Sequence, residues 1–83
     1  MILPTLRQLS FLVALADQGS FVAAADAVGV TQPSLSAGVK ELEGLLGVRL
    51  VERGRSGLSF TPAGAETLRR ARALLADAAA LSE

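Results

Sequence analysis

From Ser20 to Leu35 the chain reads Ser-Phe-Val-Ala-Ala-Ala-Asp-Ala-Val-Gly-Val-Thr-Gln-Pro-Ser-Leu, and this stretch leaves few folding options open. Ser20 is placed to cap a short helix through its side-chain oxygen, and the run Ala23 to Ala25 lets a neighbouring helix approach closely with almost no side-chain entropy to lose. Gly29 falls where that helix must stop and the chain must turn sharply, a position that often needs the left-handed backbone glycine tolerates. Thr31 then caps the next helix, and Pro33 lies in its first turn, where a missing N–H leaves no intrahelical bond unmade. The product is two short helices joined by a tight turn. This is the layout of a helix-turn-helix, whose second helix is shaped to enter the major groove of double-stranded DNA. An ordinary helical hairpin is the competing reading of this segment taken alone.

The following residues favour the first reading. Leu35, Val39, Leu42 and Leu46 recur at helical spacing and form one buried stripe. Gln32, Pro33, Ser36, Ala37 and Lys40 occupy the opposite face, which is slim and able to donate and accept hydrogen bonds, as insertion between base edges requires; plain solvent exposure is its simplest alternative. Gly47 is placed to end the helix. Val48 to Arg53, then Gly54-Arg-Ser-Gly57, then Leu58 to Phe60 predict a small hairpin, which after such a helix makes a wing. Arg53 and Arg55 fall at or near its tip, placed to meet phosphates or a minor groove, though arginines on any surface loop look alike. The expected fold is therefore mainly α: a winged helix-turn-helix of three helices and a two-stranded wing over residues 1–60, followed by a long carboxy-terminal helix over 61–83.

Several of these stretches carry a resemblance. Leu6-Arg-Gln-Leu9, Gly19-Ser-Phe21, Ala24-Ala25, Thr31-Gln-Pro-Ser-Leu-Ser36, Leu42-Glu43, Leu46-Gly-Val-Arg-Leu50, Glu52-Arg53 and Thr61-Pro-Ala-Gly64 together resemble the amino-terminal domain of LysR-type transcriptional regulators, in the right order over nearly the whole chain. The variant Ser36-Ala-Gly-Val-Lys-Glu-Leu-Glu43 is similar to the peroxide-responsive branch of that family. The resemblance implies that Gln32, Pro33 and Ser36 touch bases or the sugar-phosphate edge, the proline packing on a thymine methyl. It implies phosphate contacts for Thr31 and Ser34, a backbone contact for Lys40, and a reach toward the minor groove or its phosphates for Arg53. Ser20, Ala37 and Arg55 complete the candidate DNA-facing set. Many relatives carry an arginine or another long polar residue at the position of Ala37 and glutamine or alanine at that of Gly38, which weakens the expectation of base readout from mid-helix. Gly38 also costs the helix about 1 kcal/mol relative to alanine; close approach to DNA is one reason to keep it. The resemblance further implies an effector-binding domain following the linker helix in a longer natural chain.

With 83 residues the chain forms one domain that buries about 60% of its unfolded surface, so a partner subunit would help it considerably. Thr61 and Pro62 begin a helix in which Leu68, Ala71, Leu75 and Ala78 recur at three-four spacing, with Leu74 and Leu81 beside them. A helix of some 20 residues spans about 30 Å and outruns the small body behind it. In the first helix, from Thr5 to Gln18, the expected core face is Leu6, Leu9, Leu12, Val13 and Ala16, leaving Phe11 and Leu15 as a second apolar patch. The two surpluses are expected to meet across a two-fold axis, giving a homodimer through the linker helix, as the resemblance also implies. The competing arrangement folds the long helix back on its own domain.

Charge argues the other way. Eight basic and eight acidic residues cancel, whereas phosphate attraction supplies much of a DNA-binding domain's affinity. Lys40, Arg49, Arg53 and Arg55 against Glu41, Glu43 and Glu52 leave the recognition helix and wing barely positive, so any field must come from local placement and helix amino-termini. A winged-helix module that binds protein instead of DNA is the alternative this balance keeps open. The chain has neither cysteine nor histidine, which removes disulfides, thiolate and imidazole metal sites and the common nucleophile-base pairs. Catalysis, a cofactor and a metal are not expected, and Asp17 and Asp26 read as solvated or capping. The apolar stretch Leu9 to Leu15 after Arg7 crudely imitates a signal peptide, but it is short and its removal would delete the first helix. No stretch approaches the roughly 20 apolar residues that span a membrane, and a cytoplasmic protein is expected.

Overall fold

A computed structural model describes all 83 residues. Helix α1 runs Leu6–Gln18, α2 Phe21–Val28 and α3 Gln32–Leu46; strands β1 (Val51–Gly54) and β2 (Gly57–Phe60) follow, and α4 spans Pro62–Ala80. Each helix start is written into the sequence. Thr5 and Gln8 form a reciprocal capping box on α1: the Gln8 amide donates to Thr5 Oγ1 at 3.1 Å and the Thr5 amide to Gln8 Oε1 at 3.0 Å. Ser20, Thr31 and Thr61 accept from the amides of Ala23, Ser34 and Gly64 in the same way. Gly29 adopts φ 74°, and this left-handed turn swings the chain from α2 into α3.

Leu12, Leu15, Leu35, Val39, Leu42 and Leu50 are the largest fully buried side chains. The core therefore draws on α1, α3 and the entry to the wing, with Phe21, Ala24 and Ala25 of α2 and Ala71 of α4 closing it. The small alanines of α2 permit the tight helix pairing the sequence predicts. The wing is an antiparallel pair with Val51 opposite Phe60 and Gly54 opposite Gly57, so the first strand starts later than the expected Val48 and runs through Gly54 instead of ending at Arg53. The chain entering β1 is held from α3: Glu43 Oε2 accepts from the amides of Leu50 at 2.7 Å and Val51 at 3.3 Å.

Four placements differ from expectation. Phe11 and Leu15 are buried in the protomer's own core, at 4% and 0% exposure, because α4 and α3 both pack on α1; they form no surplus patch for a partner. Leu6, expected inside, is half exposed, and Gln8 takes the buried place with its amide satisfied by the capping box. Leu46 ends the α3 stripe outside the core at 39% exposure. Ala71 is fully buried, and Leu68 and Leu75 pack against the core, so the first part of α4 folds onto α1. Only Leu74 and Leu81 of the predicted dimer residues stand well exposed, at 52% and 88%, with Ala78 partly covered.

Two glycines mark close crossings. A Cβ on Gly38 would lie 2.5 Å from Phe11 Cδ2 and 2.7 Å from Cε2, so the residue keeps α3 against α1 and faces the core, not the outer face of α3. A Cβ on Gly64 would run into the backbone carbonyl of Leu50, which fixes how closely α4 passes the wing.

Candidate nucleic-acid interface

With Leu35, Val39 and Leu42 turned into the core, helical periodicity turns the other face of α3 outward. Thr31, Gln32, Pro33, Ala37 and Lys40 are exposed, and Ser34 and Ser36 are half-buried at the two edges of that face. The helix stands between two clefts. On one side Ser36, Lys40 and Glu43 look across at Arg49 and Arg53 of the wing through an open space of about 330 Å³. On the other, Ser34 and Ala37 face Thr5, Arg7 and Gln8 at the start of α1. A third hollow brings Ser20 and Gln32 beside Arg53 and Gly54. Ser20, Gln32, Ser36, Lys40 and Arg53 thus converge around the junction of α2, α3 and the wing. Arg55 lies apart from them in the hairpin turn, while Arg53 sits within β1 opposite Leu58.

The charges are sorted by face. Every ion pair in the protein uses an arginine of α4: Glu66 binds Arg69 at 2.7 Å and Arg70 at 3.3 Å, and Asp17 of α1 binds Arg72 at 2.8 Å. Hydrogen bonds from Arg69 and then Arg70 hold the Glu66 carboxyl at about 2 instead of the usual 4.5. Lys40, Arg49, Arg53 and Arg55 pair with no carboxylate. Glu43 lines the cleft beside three of them, yet its bonded oxygen is occupied by the Leu50 and Val51 amides. The zero net charge therefore hides a difference between faces: the arginines of α4 are all ion-paired, within the helix or with Asp17 of α1, and the cations of α3 and the wing are not.

Arg53 is not loose. Its guanidinium carbon lies 3.6 Å from the centroid of the Phe21 ring, a stacked cation–π contact. Phe21, Glu43 and Arg49 join the site only through the fold. Phe21 reads only as an apolar residue behind a cap, and Glu43 as a charge on a helical face; what each touches lies many residues away in the chain.

An outward helix with a polar capped start, beside a two-stranded wing bearing free arginines, defines a winged helix-turn-helix protein. The chain matches the profile described as bacterial regulatory helix-turn-helix protein, lysR family, over residues 6–65, and it belongs to that family. It is 54% identical over 76 residues to the HTH-type transcriptional regulator EstR of Acinetobacter baylyi, covering 92% of this chain and 25% of that protein. It is 42% identical over 78 residues to the DNA-binding transcriptional dual regulator OxyR of Escherichia coli, covering 94% of this chain and 26% of that one. The latter accords with the peroxide-responsive likeness of the α3 segment. The chain spans about a quarter of the length of the curated relatives it matches. Among solved structures, the BenM DBD/catB site 1 DNA complex superposes with a TM-score of 0.87 at 36% identity, covering 94% of this chain and 84% of that one. Corynebacterium glutamicum OxyR, as its C206 mutant, gives 0.92 at 39%, covering 96% and 26%. No helix is long and apolar enough to cross a membrane.

Proposed function

We propose that this chain is the sequence-specific DNA-binding part of a transcription regulator, with α3 entering the major groove of an inverted-repeat operator and the wing gripping the flanking backbone or minor groove. The observation that carries the reading is the convergence of an exposed, capped, polar α3 start with three cations, Lys40, Arg49 and Arg53, that form no ion pair. A solved BenM DBD complex with DNA at TM-score 0.87 supports it. In this reading Gln32, Pro33 and Ser36 meet base edges or sugars. Ser20, Thr31, Ser34, Lys40, Arg53 and Arg55 meet phosphates, and exposed Ala37 leaves room for a methyl or a water.

Residues 1–60 are the DNA-binding body and 61–83 the linker through which two copies pair. Leu74 borders an apolar groove of about 400 Å³ that also takes in Leu3, Leu6, Leu9 and Leu46, an opening a symmetry mate would cover. Two recognition helices in successive major grooves imply half-sites about 10 bp apart or a small multiple. An effector-binding domain follows in the longer regulator, which works in the cytoplasm. Selection of duplexes from a random pool tests the function: a dyad-symmetric consensus is expected, and single changes of Gln32, Pro33 and Ser36 to alanine should each weaken binding to it. No enrichment over input, or alanine variants that bind like the parent, refutes the reading in favour of a protein-binding winged helix.

A further inference from the structure

We infer that Phe21, the first residue of α2, is a positioning residue for DNA binding: its ring holds the Arg53 guanidinium in place for the duplex without neutralising it. The inference rests on the DNA-binding reading above and goes beyond it, since Phe21 itself need not touch DNA.

A free arginine on a wing strand samples many rotamers, and binding must freeze them. Proteins usually fix such a side chain with a carboxylate, as Glu66 fixes Arg69 here by two hydrogen bonds of 2.7 and 2.8 Å. That solution consumes N–H donors and cancels the charge a phosphate would meet. Stacking does neither. With Arg53 Cζ 3.6 Å from the Phe21 centroid, one face of the guanidinium is covered, while its donors form no hydrogen bond within the protein. Phe21 is itself held: it is 9% exposed, belongs to the core, and follows the Ser20 cap directly. The neighbourhood places the held cation at a junction. Arg53 borders the cleft containing Ser36 and Lys40 of α3 and also the hollow containing Ser20 and Gln32, so the held guanidinium stands between the wing and the recognition helix. Neither Glu43 nor Glu52 pairs with it, although one lines the same cleft and the other is its neighbour on β1.

A double-mutant cycle on the selected duplex tests this, using fluorescence anisotropy with the 83-residue chain, and Phe21→Leu, Arg53→Ala and the combined variant. Phe21→Leu is expected to weaken binding about five-fold, and to cost almost nothing further once Arg53 is alanine. Phe21→Tyr, which keeps the ring, should bind like the parent. Equal losses from Phe21→Leu with and without Arg53 would show that Phe21 acts through packing alone and overturn the inference while leaving DNA binding intact. If Phe21→Leu does not fold, Arg53→Lys with Phe21 retained decides: a cation lacking the planar stack should lose affinity, and parental affinity overturns the proposal. A parent that binds no duplex refutes the DNA reading itself, and this inference with it. The two failures are distinguished by whether the parent binds.

Discussion

Gly38 illustrates how one residue can be constrained from the side opposite to the one its position suggests. It lies on the recognition helix, yet its missing side chain serves Phe11 in the core. Alanine there would gain about 1 kcal/mol of helix propensity and meet an overpacking penalty of about 1–3 kcal/mol. Gly38→Ala is therefore expected to lower stability in urea unfolding, and Phe11→Leu in the same chain to recover part of the loss; simple addition of the two losses would refute this account. Gly64 is less forgiving, because the obstacle is the Leu50 carbonyl and not a ring that can tilt. Gly64→Ala should cost about 2 kcal/mol or more. The Glu66 carboxyl supplies a pH prediction. Its pKa is depressed to about 2, so the stabilisation it gives is present above the ordinary value of 4.5 and is lost as pH falls through about 2. A carbon-detected NMR titration should place its midpoint there, and Arg69→Ala should move the midpoint back up.

Between elements, the junction of α3 with the wing depends on one carboxylate. Glu43 closes the two amides at the entry to β1, and a backbone donor left unpaired in a half-buried place costs about 1–3 kcal/mol. Glu43→Ala is expected to leave α1 to α3 helical while amide exchange at Leu50 and Val51 accelerates; unchanged protection at those two amides would show that the wing is held by packing alone. The same variant frees the cleft of its one lining carboxylate, so any gain in DNA affinity measures what Glu43 costs the field and any loss measures what a loosened wing costs. Helix α4 is divided along its length. Gly64, Leu68, Ala71 and Leu75 pack on the body, and beyond them only Ala78 is partly covered by its own protomer.

For the whole molecule, the partition of charge matters more than its total. Removing an unpaired cation should change the salt dependence of DNA binding, and removing a paired one should not. Lys40→Ala or Arg53→Ala is expected to flatten the slope of log K against log salt by about 0.9 each, while Arg70→Ala leaves it unchanged. Equal effects from both groups would mean that overall charge governs association. The molecule measures 41 × 27 × 19 Å, and residues 79–83 at the end of the chain are exposed. Leu74→Arg should convert the dimer proposed here to a monomer in sedimentation equilibrium with its helical circular dichroism kept; an unchanged mass would move the interface elsewhere.

What was legible in the chain was whatever depends on neighbours in sequence. The caps at Ser20, Thr31 and Thr61, the turn at Gly29, the outward face of α3 and the existence of the wing all follow from residues within a few positions of each other, because capping and periodicity are local. The placement of Phe11 and Leu15 in the core, the contact of Gly38 with Phe11, the Glu43 bridge to β1 and the seating of Arg53 on Phe21 were decided only when the helices packed. A helix has several apolar edges, and periodicity cannot say which of them a distant element will cover. That choice belongs to the assembled core, and through it the tertiary structure sets which side chains remain free to meet DNA.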